Sequence, residues 1–180
     1  SMLLGATNLS QLEVTQMYNT LANGGFRSPL RAVRAVVNES GKALRAPELE
    51  VAEVKSPEAV YTLDLMLVEV MRRGTGRGAA KELPDGLVVA GKTGTSNDYR
   101  DSWFAGFSGS HLVVAWVGHD DNRPTGLTGT TGGLAVWSRL MSFAAWCSRC
   151  AKKSGSLMSA TLIASDRPLS QSRSSSVGRK

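Results

Sequence analysis

The sequence predicts an α+β fold, and three observations predict it. Two helix-period segments with legible caps occupy much of the first 75 residues. Three β-type runs follow in quick succession between residues 87 and 118, the last two joined by a short turn. A final helical stripe closes the body at 134–145. Runs of helices set apart from runs of strands are the pattern of this class.

The first helix is predicted over 9–23. Ser10 is its N-cap, Glu13 three residues on completes a capping box, and Leu9 and Val14 can staple across the cap. Val14, Met17, Tyr18 and Leu21 recur at helical spacing. Asn23-Gly24-Gly25 stops the helix, since glycine enters the left-handed region at little cost. A Val-rich strand is read at 31–38, a turn at 38–41, a returning strand at 42–46 and an alternating segment at 49–54. The second helix opens on Ser56-Pro57-Glu58: a cap, a proline at the first helical position, and an acid at the positive end of the dipole. Its stripe is Val60, Leu63, Leu67, Val68 and Met71, and Gly74-Thr75-Gly76-Arg77-Gly78 ends it. Strands are read at 87–95, 102–108 and 112–118, with a Gly109-Ser110-His111 turn between the last two. Residues 120–133 form a Gly/Thr-rich loop, and Leu134, Trp137, Leu140 and Met141 mark the face of the closing helix.

At 180 residues, with 42% hydrophobic and 20% charged content, the chain suits one globular domain with a core of its own. No apolar run approaches the roughly 18 residues of a membrane span, and the N-terminus is not a signal peptide. An export signal, if the protein has one, is expected upstream. The net charge of +6 is carried wholly by the end of the chain. Residues 1–146 hold 14 basic and 14 acidic side chains, whereas 147–180 hold 7 basic residues and one acid, Asp166. The body therefore carries no basic footprint for nucleic acid. With ten serines among its 34 residues, 147–180 is read as a Ser/Arg-rich disordered tail after a folded portion at 1–146. Cys147 and Cys150 make one C-x-x-C with no second pair, so no metal site is read, and no cofactor is expected.

One segment carries chemistry. Gly86, Gly91, Lys92 and Thr93 spell the G-x-x-x-x-G-K-T of a nucleotide-binding P-loop. Its context fails: the middle residues are Leu87-Val88-Val89-Ala90, a strand sequence, and Thr93 is followed by Gly94 rather than by a helix. The other reading is K-T-G on a strand. Lys92 supplies a fixed positive charge, and Thr93 and Thr95 share a face at period two, where their hydroxyls can hold a carboxylate. Gly94 lets a ligand backbone lie close, and an open strand edge can pair with an extended substrate. On its own K-T-G also fits an edge-strand lysine that discourages aggregation.

The surrounding residues carry a resemblance. Ala90-Gly91-Lys92-Thr93-Gly94-Thr95-Ser96-Asn97, then a short polar loop, then Asp101-Ser102-Trp103-Phe104-Ala105-Gly106 resembles class A penicillin-binding proteins, the type 1b group above all. Residues 2–6, Asn23-Gly24-Gly25, Arg73-Gly74-Thr75-Gly76-Arg77, Val117-Gly118 with Asp120, and Pro124-Thr125 extend the match over roughly 2–140. The resemblance implies the C-terminal portion of a penicillin-binding, serine β-lactamase-like transpeptidase fold, with an antiparallel sheet flanked by helices. It implies a periplasmic, membrane-anchored parent protein that cross-links peptidoglycan. There a serine attacks the D-Ala-D-Ala end of a stem peptide, and the acyl group passes to a second stem; β-lactams acylate the same serine. The parent's anchor and the rest of the domain are expected upstream. Carried over, Lys92 and Thr95 are the catalytic candidates, and Thr93, Gly94 and Thr95 bind the substrate carboxylate. The Thr95 N–H is expected to be an oxyanion-hole donor, of a kind typically worth ~3 kcal/mol. Asp101, Ser102, Trp103 and Phe104 are read as structural, the two aromatics packing rather than binding.

The family also uses S-x-x-K and S-x-N. No lysine here has a serine three places before it, and no asparagine has a serine two places before it. The chain alone is expected not to acylate and, lacking helical cover, to expose an apolar strand face. A module that binds peptidoglycan or a partner without chemistry is the alternative. A frameshift near residue 141 and a divergent natural tail both account for the change of composition at the end.

Overall fold

The computed structural model describes residues 7–154, apart from 34, 46, 47 and 49, and a two-residue strand, Ile163–Ala164; beyond Arg149 the description is of backbone alone. The family match at 2–6 and most of the expected tail lie outside the described residues.

Helix α1 (Gln11–Ala22) starts on the expected capping box: the Ser10 N–H donates to Glu13 Oε2 at 2.7 Å, and the Glu13 N–H donates to Ser10 Oγ at 3.3 Å. The exposed carboxylate is thereby held below its usual range. Its buried face is Thr15 and Tyr18 with Val14 and Leu21 beside them, while Met17 faces outward. Gly25 closes the end at φ +96°, and a side chain there would run into the Lys55 carbonyl. That close approach lets strand β1 (Phe26–Arg27) pair antiparallel with β4 (Ala52–Glu53). The strand expected at 31–38 shrinks to β2 (Val36–Val37), paired with β3 (Ala43–Arg45) across the turn. Both valines are exposed, so this hairpin has no core to lengthen it.

Helix α2 (Pro57–Arg72) starts at Ser56, whose hydroxyl accepts from the Ala59 N–H, and buries Val60, Leu67 and Met71. Leu63 lies outside the buried face; Asp64 occupies part of it, with one carboxylate oxygen unpaired, and burial raises its pKa. A short 3₁₀ turn (Arg77–Lys81) follows.

The central sheet runs β5 (Val89–Thr95), β6 (Ser102–Ser108), β7 (Leu112–Val117), β8 (Ile163–Ala164). The first three are antiparallel neighbours, in register from Val89↔Ser108 to Thr95↔Ser102 and from Ser102↔Val117 to Phe107↔Leu112; β8 pairs parallel with β7. Gly91, Lys92 and Thr93 sit inside this ladder, so the P-loop spelling corresponds to a strand and not to a phosphate-cradling loop. Helix α3 (Gly133–Ser154) covers one face of the sheet, where Phe104, Val113 and Ala115 meet Leu134, Trp137 and Met141. Burying side chains such as Phe104 or Met141 is worth ~1.5–3 kcal/mol each. The Trp137 indole donates to the carbonyls of Gly106 (3.3 Å) and Val113 (3.1 Å), which satisfies its one polar atom. Helices α1 and α2 cover the other face over Ala90, Ala105, Phe107 and Val114.

Two expectations need correction. The closing helix does not stop at 145: Ala144 and Ala145 are still buried, and the Ser148 hydroxyl meets His111 Nε2 at 2.9 Å, so contact with the sheet continues past the change in composition. Nor, among the described residues, is an apolar face of the central sheet laid bare, because α1 and α2 close one side and α3 the other. Exposed apolar side chains lie instead on the outer surfaces of helices, such as Tyr61, Leu65 and Met66 on α2 and Leu12 and Met17 on α1, and on the small peripheral strands, such as Phe26, Val36, Val37 and Leu44.

Candidate active site

Strand β5 lies at the edge of the sheet, with β6 on one side and no strand on the other among the described residues. In an antiparallel ladder directly opposed residues share a face. Thr93 faces with Phe104 and Thr95 with Ser102, so both threonines lie on the α3 side. Lys92 opposes Ala105 and starts on the α1–α2 side. Its side chain nevertheless bends back, and Nζ donates to Thr93 O at 3.0 Å and to Thr93 Oγ1 at 3.4 Å. The sequence-predicted Lys92, Thr93 and Thr95 are therefore brought together at one end of an open edge. Gly94 lies between them, and a Cβ there would be 3.1 Å from Trp103 Cβ, so the bare side of this glycine is turned to the tryptophan.

Two further elements reach the threonines. Thr75, in the turn after α2, places Oγ1 2.8 Å from Thr93 Oγ1. The Gly129 N–H, in the loop before α3, donates to Thr95 Oγ1 at 2.8 Å. A hydroxyl has one proton and two lone pairs. Thr95 spends a lone pair on Gly129, which leaves its proton free for a ligand. Gly129 also has to be glycine: a Cβ would sit 2.7 Å from Gly94 O and 2.9 Å from Gly94 N and Thr93 Cβ.

Ser102 fastens this loop. Its buried hydroxyl donates to Thr128 O at 2.6 Å and accepts from the Gly133 N–H at 2.7 Å. Farther along, Thr125 bonds Tyr99 O through both its N–H and its hydroxyl, each at 2.8 Å. Asp101 accepts the Trp116 indole N–H at 2.9 Å, Trp103 tilts against Trp116, and Phe104 is fully buried against Trp137. Thr75 and Gly129 were not singled out as site residues by the sequence. Thr75 had a signal in Arg73-Gly74-Thr75-Gly76-Arg77, whereas Gly129 sits in a Gly/Thr loop with none.

Beside Thr75 a cleft of about 460 Å³ is lined by Arg73, Gly74, Arg77, Gly78 and Thr130. On the neighbouring strand edge the Lys92 ammonium and the Thr93 and Thr95 hydroxyls lie together, an arrangement that can hold a carboxylate. Among the described residues no group of three or more His, Cys, Asp or Glu could hold a metal ion. Among them, too, no helix is long and apolar enough to cross a membrane.

Residues 3–134 match the model of the penicillin binding protein transpeptidase domain. The chain is 42% identical over 141 residues to penicillin-binding protein 1B of Escherichia coli, covering 78% of this chain and 17% of that protein. With penicillin-binding protein 1B of Vibrio cholerae it shares 38% over 143 residues, covering 79% and 18%. The chain thus spans less than a fifth of the length of these relatives. A crystal structure of penicillin-binding protein 1A from Haemophilus influenzae superposes with a TM-score of 0.67 at 22% identity, over 77% of this chain and 27% of that one, a likeness of fold.

Proposed function

The chain belongs to the penicillin-binding protein transpeptidase domain family, and from that premise we propose that it supplies the K-T-G wall of a peptidoglycan D,D-transpeptidase site. Residues 1–146 are the C-terminal portion of that domain, followed by a Ser/Arg-rich tail. The parent protein works at the periplasmic face of the inner membrane, anchored by a segment outside this chain. A serine outside this sequence attacks the penultimate D-alanine carbonyl of a stem peptide and forms an acyl-serine ester. D-alanine leaves, and an amine of a second stem takes the acyl group. β-Lactams acylate the same serine.

On this reading Thr93 and Thr95 donate to the terminal carboxylate, Lys92 supplies the countercharge, and the Thr95 N–H polarises the reacting carbonyl. The open edge of β5 takes the peptide as an added strand. The observation that carries the proposal is the convergence of Lys92, Thr93 and Thr95 on that edge, with a lone pair of each threonine hydroxyl already occupied by a neighbouring donor. The S-x-x-K and S-x-N motifs, which supply the family's nucleophile and base, do not occur in this sequence. The chain alone is accordingly inactive.

That same absence favours a second reading, a module that binds peptidoglycan without chemistry. Labelling with a fluorescent penicillin separates the two. The parent protein should be labelled, the 180-residue chain alone should not, and Lys92→Gln in the parent should slow labelling at least 100-fold. An unlabelled parent that still binds stem peptides would establish the second reading, and labelling indifferent to Lys92→Gln would remove the lysine from the site.

A further inference from the structure

The contact between Thr75 and Thr93 has a direction that the oxygen count determines, given the carboxylate-binding reading above, on which this inference rests. Thr93 Oγ1 has one proton and two lone pairs. Lys92 Nζ takes one lone pair at 3.4 Å. If Thr93 gives its proton to Thr75, it can offer an incoming ligand only a lone pair, which repels a carboxylate. If Thr75 donates instead, both lone pairs of Thr93 are engaged, and its proton is aimed at the open edge of the strand. We propose that Thr75 is a positioning residue that donates to Thr93 Oγ1 at 2.8 Å and so fixes Thr93 as a donor to an anionic chain end.

The hydrogen-bond chain is Thr75 to Thr93 to ligand. Each donor in such a chain strengthens the next, and the Lys92 ammonium reinforces the same polarity. Thr95 reaches the same state through a backbone donor, the Gly129 N–H, so the two hydroxyls of the strand are set alike by separate elements. What Thr75 adds is selectivity for a carboxylate over a neutral amide at the ligand's end.

The test is a titration of the ¹⁵N-labelled 180-residue chain with N-acetyl-D-Ala-D-Ala and, separately, with its C-terminal amide, following the amide signals of Thr93, Gly94 and Thr95. The unmodified chain should prefer the acid by tenfold or more. Thr75→Val, which keeps the shape and removes the hydroxyl, should weaken binding of the acid about tenfold and leave that of the amide unchanged; Thr75→Ser should restore the preference. A purely structural role would weaken both ligands together. Should the valine variant lose the dispersed spectrum of a folded chain, Thr75→Ala is read in its place. Full acid preference in the folded valine or alanine variant would overturn the positioning role while leaving the K-T-G reading intact. An unmodified chain that binds neither ligand, or both equally, would overturn the carboxylate reading itself and this inference with it.

Discussion

Replacing Ser102 by alanine tests whether the loop carrying Gly129 is fastened to the sheet as the hydrogen bonds indicate. The Ser102 hydroxyl is wholly buried and makes two short bonds, donating to Thr128 O at 2.6 Å and accepting from the Gly133 N–H at 2.7 Å. The two losses are unequal. Thr128 O keeps the N–H groups of Thr131 (3.1 Å) and Gly132 (2.9 Å), so losing the serine proton costs a single net hydrogen bond, about 1 kcal/mol. The Gly133 N–H is buried and has no other partner among the described residues, and orphaning it costs about 1–3 kcal/mol. Ser102→Ala should therefore destabilise the chain by about 2–4 kcal/mol. Ser138→Ala is the matched control: among the described residues that buried serine bonds only a carbonyl of its own helix, at 3.3 Å, and its loss should cost no more than about 0.5 kcal/mol. Urea unfolding followed by fluorescence of the four tryptophans reads both variants. A Ser102→Ala cost below about 0.5 kcal/mol, or one equal to the control, would refute the fastening role.

The other predictions concern the same loop and the far end of the sheet. Gly129→Ala places a Cβ 2.7–2.9 Å from the Gly94 backbone and Thr93 Cβ; overpacking of that kind costs ~1–3 kcal/mol. It should pull the Gly129 N–H off Thr95, visible as a shift of the Thr95 amide signal larger than that of Val89. His111 is buried between the hydroxyls of Ser110 (3.0 Å) and Ser148 (2.9 Å), and burial lowers its pKa from 6.5. Its folded pKa lies below the unfolded one, so the unfolded chain takes up the proton first. Stability should be full above about pH 6.5 and fall as pH drops below it. Melting temperatures at pH 7.5 and 5.5 check this, and His111→Gln should remove the part of the loss that His111 causes.

How much of this was legible in advance depends on how local the determinant is. The capping box of α1 and the Ser56-Pro57 start of α2 were readable because the groups that make a cap lie within four residues of each other. Strand β6 was readable to the residue, since Asp101 and Gly109 bound a run with no competing period. The segment at 31–38 misled because valine content reports strand propensity, while a strand persists only where a neighbour covers it. Val36 and Val37 have no such cover. The end of α3 misled for the converse reason: composition turns polar near 147, yet Ser148 has a partner, His111, which lies 37 residues away in sequence. The threonine pair at 93 and 95 followed from strand periodicity. Thr75 and Gly129 did not, since each meets its threonine across 18 and 34 residues of chain.

That division bears on the bland interpretation of K-T-G, an edge-strand lysine kept for solubility. Lys92 does satisfy its two requirements, being exposed and on an edge strand. A lysine that only guards an edge gains by extending its ammonium into water, where hydration is strongest and side-chain entropy is kept. Lys92 instead folds back across its own strand, from the α1–α2 side to a threonine on the α3 side, and spends donors on Thr93 O and Oγ1. The edge-guard interpretation also has no use for Thr75 or Gly129, whose hydroxyl and N–H come from separate elements to meet the two hydroxyls flanking Gly94. The proposed carboxylate site has a use for each of them. The arrangement is costly for a guard and economical for a receptor, and what distinguishes them is the direction in which the hydroxyl protons point rather than the three letters of the motif.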